Sequence, residues 1–203
     1  MKIAAQCNEA YAKANRMLGL ISRTIKYRNV ESLTNLHKSL VSPRLDYFSS
    51  VWNSYLSKDK FLLERVQHCF TRMFSDLRKL PYEQRLSRLC LWTLEERCSR
   101  ADLIEVFEMI KGISATQWSF FFSQVEDNTT RGNKWKLIKN HCRTDNWSHC
   151  FSQGTVRTAW NSLSQKDIDA ATLNSFKRRL ERRRNDEMGF FKDYTVSGKK
   201  VTP

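Results

Sequence analysis

The chain contains few residues that break helices, with only six Gly and three Pro among its 203 residues. A β protein made of many short strands needs frequent turns, which are built largely from such residues. The hydrophobic fraction is 40%, with twelve Phe, six Trp and six Tyr, which is ample for a core and unlike a disordered chain. The composition therefore favours a mainly α-helical globular fold.

Long apolar runs are also lacking. No stretch approaches the roughly 18 apolar residues that a membrane-spanning helix requires, and residues 1–14 lack the apolar block of a signal peptide. The six Cys are scattered without a CxxC pair, which is typical of reduced cysteines that act as small apolar side chains. We therefore expect an intracellular protein, nuclear or cytoplasmic, without a membrane partner.

Acidic residues are scarce relative to basic ones. The chain has 35 Lys and Arg against 21 Asp and Glu, a formal net charge of +14 and a pI of about 9.7. A surface of this sign attracts polyanions from a distance. Nucleic acid is the first candidate ligand, ahead of an anionic membrane, and the alternative is a surface that is basic without a binding role.

A helix predicted over roughly residues 3–27 carries a basic face. Its apolar positions recur at steps of three and four, at Tyr11, Ala14, Leu18, Ile21 and Ile25. Basic residues lie on the other side or follow closely, with no acid between residues 13 and 28: Lys13, Arg16, Arg23, Lys26 and Arg28. Such a face is suited to nucleic-acid phosphates, although a solubilising surface is the alternative.

A second basic run, KRRLERRR, occupies residues 177–184 of a helix that Thr172 caps. Its six cations are candidate nucleic-acid contacts or a nuclear localisation patch: Lys177, Arg178, Arg179, Arg182, Arg183 and Arg184. The alternative is a charged helix end, where cations also suit the helix dipole. Because Arg183 continues the apolar stripe of Phe176 and Leu180, we expect the helix to leave the core near Glu181.

Local signals divide the rest of the first 112 residues into helices. Asn29 is a good N-cap, and Ser42-Pro43 predicts an interruption followed by a new helix. Helices are also predicted over about 59–75, with Cys69 facing inward, and over 82–89. Thr93 and Glu96 have capping-box spacing for a helix to Lys111, with Ala101 on its apolar stripe, and Gly112 is placed to end it.

Residues 123–150 are polar, with a short hairpin expected around Trp135–Ile138. Two His/Cys pairs occur here, His141-Cys142 and His149-Cys150, and four such ligands can close a tetrahedral zinc site. Adjacent ligands are an unusual geometry and no CxxC supports them, so we expect no metal and no other cofactor. Trp135 and Trp147 lie among polar residues, where aromatic rings either stack on unpaired bases or pack within the protein.

Several stretches together resemble the region after the catalytic palm of non-LTR (LINE) retrotransposon reverse transcriptases of the jockey and chicken-repeat type. The first half of the chain contributes KANRMLGLI (13–21), SLVSPRLDY (39–47), VQHCFTRM (66–73) and LPYEQRLSRLCLWTLEERCSRADLIEVFEMIKG (80–112). CRTD (142–145), FSQGTVRTAWNSL (151–163) and LNSFKRRL (173–180) follow in the same order. Gly154 replaces a usual basic residue in the FSQ stretch, and Ser164 replaces the Pro that usually follows WNSL.

The resemblance implies a polymerase thumb, which grips the template–primer duplex, over residues 1–112. It implies no catalytic residue in this chain, because the adjacent aspartates that hold two metal ions in such polymerases are absent: no Asp-Asp pair occurs in the sequence. The His at positions 37 and 68 lack an adjacent nucleophile or carboxylate array and are expected to be packing or surface residues.

We therefore expect a mainly α protein: a thumb-like helical bundle over 1–112, a polar connector over 113–150, a smaller C-terminal helical unit over 151–185, and a flexible tail over 186–203. The function expected is binding of RNA, DNA or an RNA–DNA hybrid without catalysis. The alternatives are a helical interaction module that binds a polymerase palm or a second chain through an exposed apolar face, and a translated relic without autonomous activity.

Overall fold

A computed structural model describes residues 3–27, 29–46, 57–125, 133–138, 151 and 159–186. Within these ranges the chain is mainly α-helical, which confirms the helical fold class. It divides into two compact units, Met1–Arg97 and Cys98–Pro203. The boundary between the units falls inside a helix, before the boundary at residue 112 that the sequence suggested.

The helices of the first unit follow the predicted order. They are α1 (Ile3–Thr24), α2 (Val30–Leu36), α3 (Ser42–Asp46), α4 (Ser57–Thr71), α5 (Tyr82–Arg88) and the start of α6 (Leu94–Ile110). A short 3₁₀ turn, Ser75–Leu77, lies between α4 and α5.

The core of the first unit forms where α1 packs against α4 and α3. Ala14, Leu18 and Ile21 of α1 are buried, as their spacing predicted. On α4, Val66 and Phe70 are fully buried. Cys69 is exposed rather than inward, because α4 turns its Val66 and Phe70 side to the core. The apolar periodicity therefore located the helix correctly but placed Cys69 on the wrong side.

The predicted interruption at Ser42-Pro43 is wrong. The chain stays helical through a π-helical turn, His37–Val41, in which the Ser42 N–H donates to the His37 carbonyl. Pro43 has no N–H, and its ring crowds the carbonyl four residues earlier, so a widened turn accommodates it without ending the helix. His37 is fully buried here and stacks on Phe70 with ring centroids 4.1 Å apart, as expected for a packing residue.

The capping signals of the sequence are confirmed. Asn29 Oδ1 accepts from the Glu31 N–H at 3.1 Å at the start of α2. Thr93 and Glu96 form a capping box at the start of α6, with Glu96 N–H donating to Thr93 Oγ1 at 3.2 Å and Thr93 N–H to Glu96 Oε2 at 3.1 Å. Gly112 ends α6 with a φ of +68°, the left-handed conformation that glycine adopts without a steric cost.

In the part of the second unit that the structure describes, the rest of α6 is followed by α7 (Gln165–Ile168) and α8 (Leu173–Asp186). Two 3₁₀ turns, Trp118–Phe120 and Trp160–Ser162, lie between them in sequence. Its core joins α6 to α8 through the stacked rings of Phe107 and Phe176, 4.2 Å apart. Ala101, predicted on the apolar stripe, is exposed, because Leu103, Val106 and Phe107 form the buried side of α6.

The polar residues 133–138 pack within this second unit. Gln124 and Leu137 form an isolated antiparallel bridge, where the sequence suggested a hairpin. Asn133 is buried and donates to the carbonyls of Trp160 and Leu163 at 3.3 and 3.1 Å. Amide hydrogen bonds of this kind explain how a polar stretch joins a core.

Helix α8 continues to Asp186. Phe176 and Leu180 are fully buried, whereas none of residues 181–186 is buried, so the buried part of the helix ends near Glu181 as predicted. Arg183 follows on the same face, where Nη1 donates to Asp167 Oδ2 at 2.9 Å and Nη2 to the Ser162 carbonyl at 3.1 Å.

Candidate nucleic-acid interface

The basic face of α1 lies opposite its buried face. Ala14, Leu18 and Ile21 point to the core, whereas Lys13, Arg16 and Arg23 are exposed. Steps of three, four and three residues join Lys13, Arg16, Leu20 and Arg23 into one stripe along the helix. The structure therefore brings three of the predicted contact residues together.

A groove of about 910 Å³ runs along this stripe and is open to solvent. Four cationic side chains line it: Lys13, Arg16, Arg23 and Arg44. Arg44 comes from α3, which packs against α1. Sequence reasoning missed Arg44, because no periodic pattern connects position 44 to a helix that ends at residue 24; only the tertiary packing of α3 reveals it.

Carboxylates neutralise little of this groove. Lys13 pairs with Glu9 at 2.7 Å, but both side chains are about half exposed, at 47% and 58%, so the pair is weak and screened by salt. The Lys13 ammonium, through its hydrogen bond and charge, holds the pKa of Glu9 below its usual value. Within the described residues, no carboxylate pairs with Arg16, Arg23 or Arg44.

The arginines keep most of their donors available. Among the described residues, Arg44 donates one internal hydrogen bond, from Nε to the Leu40 carbonyl at 3.3 Å. Each guanidinium presents a planar set of N–H groups that matches two oxygens of one phosphate. Three such groups along one groove form a surface on which successive phosphates of a strand can bind.

The floor of the groove is small and apolar. Met17, Gly19 and Leu20 lie between the cations, and Leu20 is 52% exposed. A Cβ built at Gly19 would meet nothing within 4 Å, so the missing side chain leaves open space at the centre of the groove. A ligand can therefore approach the helix backbone most closely at Gly19.

The other predicted contacts on this segment lie apart from the groove. Lys26 is exposed but follows the end of α1 and does not line the groove. Arg28 lies outside the described residues.

The residues of the C-terminal basic run differ in exposure and in their interaction partners. Arg178 and Arg182 are exposed, one helical turn apart, on the side of α8 away from Phe176 and Leu180. Arg183 instead pairs with Asp167, and Arg184 also has an interaction partner. Lys177 and Arg179, on either side of Arg178 in the sequence, are half-buried. The exposed pair is the part of the run best placed to contact a ligand.

The remaining candidates of the sequence are placed only in part. His141, Cys142, His149, Cys150 and Trp147 lie outside the described residues. Trp135 is half-buried and packs edge-on against Trp118 at 5.8 Å, and its carbonyl accepts from Trp160 Nε1 at 2.8 Å. Its ring therefore has a packing role in the second unit.

Two buried ionisable groups outside the groove, His37 and Asp102, are held in neutral forms. Burial, reinforced by the charges of Arg97 and Lys38, lowers the pKa of His37 to about 4. Burial, reinforced by Glu105, raises the pKa of Asp102 to about 8. In the described parts of the chain, no three His, Cys, Asp or Glu side chains converge as a metal site would require.

Comparison of the chain with protein-family models, with curated proteins and with solved structures gave no match. Among the helices that the structure describes, none has the length and apolar character needed to cross a bilayer.

Proposed function

We propose that the chain binds the sugar–phosphate backbone of nucleic acid through the groove on α1. The observation that carries this proposal is the placement of Arg16, Arg23 and Arg44 in one open groove, where no carboxylate of the described residues pairs with them. Exposed cations without an anionic partner cost little free energy in water. A polyanion binds to them favourably, because each phosphate contact releases counterions that were condensed on the nucleic acid.

The ligand class we propose is RNA, DNA or an RNA–DNA hybrid, bound without strong sequence preference. The groove offers guanidinium groups suited to phosphates, and phosphate contacts carry no direct sequence information. The exposed Arg178 and Arg182 of the second unit are proposed as additional contacts.

The resemblance of KANRMLGLI, which contains the groove residues Arg16, Met17, Gly19 and Leu20, supports assigning this surface to a polymerase thumb. On that assignment the chain is a nucleic-acid-gripping part of a LINE-type reverse transcriptase. On the same assignment, nucleotide transfer belongs to the palm of such a polymerase, and the groove holds and orients the duplex without a chemical step.

The test is equilibrium binding of a fluorescent RNA–DNA hybrid by the whole chain. Changing Arg16, Arg23 and Arg44 together to Gln removes three cations without changing the buried face of α1. We expect the affinity to fall about a hundredfold or more at 0.1 M salt, on the order of 1 kcal/mol for each phosphate that the variant no longer binds.

The matched control changes Lys38, Lys58 and Lys166 to Gln, three exposed lysines outside the groove. It removes the same net charge and should retain most of the affinity. Equal weakening in both variants would mean that binding follows net charge rather than this groove, and would contradict the proposal.

The second candidate function is a helical interaction module, supported by large exposed apolar side chains. Tyr27 is 90%, Phe61 65% and Phe120 77% exposed. Apolar surface of this kind favours a polymerase palm or a second copy of the chain as the partner. Sedimentation that shows dimerisation with rising concentration, together with no hybrid binding at low salt, would favour this second function.

A further inference from the structure

Arg85 on α5 is a buried cation. Its side chain is 3% exposed. Nη1 donates to Thr71 Oγ1 at 2.9 Å, Nη2 lies 3.5 Å from His68 Nδ1, and the guanidinium lies over the Tyr82 ring, 5.3 Å from its centroid. All of these partners are neutral groups. None of these three contacts therefore supplies a negative charge to balance the guanidinium of Arg85.

Within the described residues no carboxylate pairs with Arg85, and its buried Nε has no hydrogen-bond partner. Removing a guanidinium from water without an anion is costly. A buried charge of this kind marks a candidate functional site, and an anionic ligand is one group that could balance it.

Two further arginines, Arg72 and Arg78, belong to the turn that follows Thr71, the hydrogen-bond partner of Arg85. Arg72 follows the end of α4, is exposed, and has no acidic partner among the described residues. Arg78 donates from Nε to the Arg72 carbonyl at 3.4 Å, which folds the turn after α4 back on itself. The nearest acid of that turn, Asp76, accepts a hydrogen bond from Ser75 at 2.9 Å. Arg72 therefore adjoins Thr71, which accepts the hydrogen bond of Arg85, and Arg78 contacts the main chain of Arg72.

The pKa of His68 responds to the charges of Arg85 and Arg72. Its ring stacks on Tyr82 with centroids 3.5 Å apart. Burial, followed by the charges of Arg85 and Arg72, lowers the pKa of His68, and burial followed by Arg72 lowers the pKa of Arg85. The Tyr82 phenol acts in the opposite direction on Arg85 by raising its pKa, and no carboxylate is among the causes for either residue. The electrostatic potential around His68 and Arg85 is therefore positive, and a bound anion would lower it.

We propose that Arg72, Arg78 and Arg85 form a second phosphate-binding site, which takes a phosphate group of a nucleic-acid backbone. None of the three residues lines the groove on α1, so the site is additional to that groove, although the choice of nucleic acid as the source of phosphate rests on the proposed function. Guanidinium groups match phosphate oxygens in pairs, and the exposed Arg72 and Arg78 make first contact while Arg85 contributes charge from below.

The test uses Arg72→Gln and Arg78→Gln in the whole chain, because both side chains are exposed and neither is in the core. Lys38→Gln is the control for the removal of one surface charge. We expect each arginine variant to bind a short RNA–DNA hybrid about tenfold more weakly, with the slope of log affinity against log salt reduced by about one. Lys38→Gln should change neither quantity.

The pKa of His68, followed by NMR and assigned with His68→Gln, gives a readout independent of affinity. Saturating hybrid should raise this pKa by about one, since an anion beside the ring favours its charged form, and the rise should be absent in Arg72→Gln. An unchanged His68 pKa, with full affinity in both arginine variants, would overturn the proposal.

Inorganic phosphate alone distinguishes the source of the anion. If it raises the His68 pKa while the hybrid does not, the site serves a free phosphate and the nucleic-acid assignment fails. Reduced affinity in the Arg16, Arg23 and Arg44 variant with full affinity in Arg72→Gln would leave the proposed function intact and remove this second site. The reverse pattern would retain the site and remove the groove.

Discussion

Glu64 on α4 accepts a hydrogen bond from the backbone N–H of Leu94 at 2.9 Å, so that one helix caps the first turn of another. The other oxygen of the same carboxyl group accepts from the Tyr82 hydroxyl, and burial raises the pKa of Glu64 above its usual value. Changing Glu64 to Ala leaves two donors without their partner. We expect the free energy of unfolding to fall by about 2–4 kcal/mol, measured by urea denaturation.

Glu95→Ala is the control for this prediction. Glu95 pairs with Lys60 at 2.9 Å, but both side chains are partly exposed, at 35% and 27%. Its removal should cost no more than about 1 kcal/mol. Equal destabilisation in the two variants would mean that Glu64 does not cap α6 in solution.

Asp102 predicts a dependence of stability on pH. Because its pKa is raised to about 8 by burial and by Glu105, the folded chain keeps a proton that the unfolded chain releases above about pH 4. The Asp102 contribution to stability is therefore present below pH 4 and is lost as the pH rises to 8. In Asp102→Asn, the urea midpoint of unfolding should vary less with pH between 4 and 8, and at pH 8 it should be higher than in the unmodified chain. If the substitution leaves the pH dependence of the midpoint unchanged, Asp102 is not a buried neutral carboxyl group.

Cys90 occupies a left-handed conformation, with a φ of 49°, at the end of α5. Leu91 N–H donates to the Leu86 carbonyl at 2.9 Å and Cys90 N–H to the Ser87 carbonyl at 3.1 Å, the pattern of a helix end that favours glycine. Cys90→Gly should stabilise the chain by about 1 kcal/mol, since it removes the Cβ clash. Cys90→Ala retains the Cβ, so a similar gain in that variant would exclude this explanation.

Gly19 allows the groove to be filled without changing its charge. Gly19→Ala should stabilise α1 by about 0.5–1 kcal/mol, because a Cβ there meets no neighbour, and should leave hybrid binding nearly intact. Gly19→Leu places a branched side chain between Arg16 and Arg23 and should weaken binding about tenfold by blocking close approach of the ligand backbone. Full affinity in Gly19→Leu, with thermal stability retained, would mean that the ligand does not enter the groove.

Much of the fold could be predicted because its signals are local. The spacing of Ala14, Leu18 and Ile21 gives the buried side of α1 directly, and Asn29, Thr93 with Glu96, and Gly112 act within one helical turn of themselves. Short-range rules of this kind need no knowledge of the tertiary structure.

The errors and omissions arise where distant residues decide the outcome. The π-helical turn before Pro43 keeps His37 stacked on Phe70 of α4, a contact that no local pattern contains. Arg183 of α8 pairs with Asp167 of α7. Arg44 and the pair Arg72 and Arg85 meet other cations only through helix packing. Sites whose residues come from different helices therefore could not be predicted from the sequence.

The salt dependence of hybrid binding tests the central claim most directly. The affinity of the chain should be measured between 50 and 300 mM salt, alongside the Arg16, Arg23 and Arg44 to Gln variant. If phosphates bind in the α1 groove, the slope of log affinity against log salt should be smaller by about two to three in the variant. An identical slope in the two proteins, or no binding by the unmodified chain at 50 mM salt, would contradict the account.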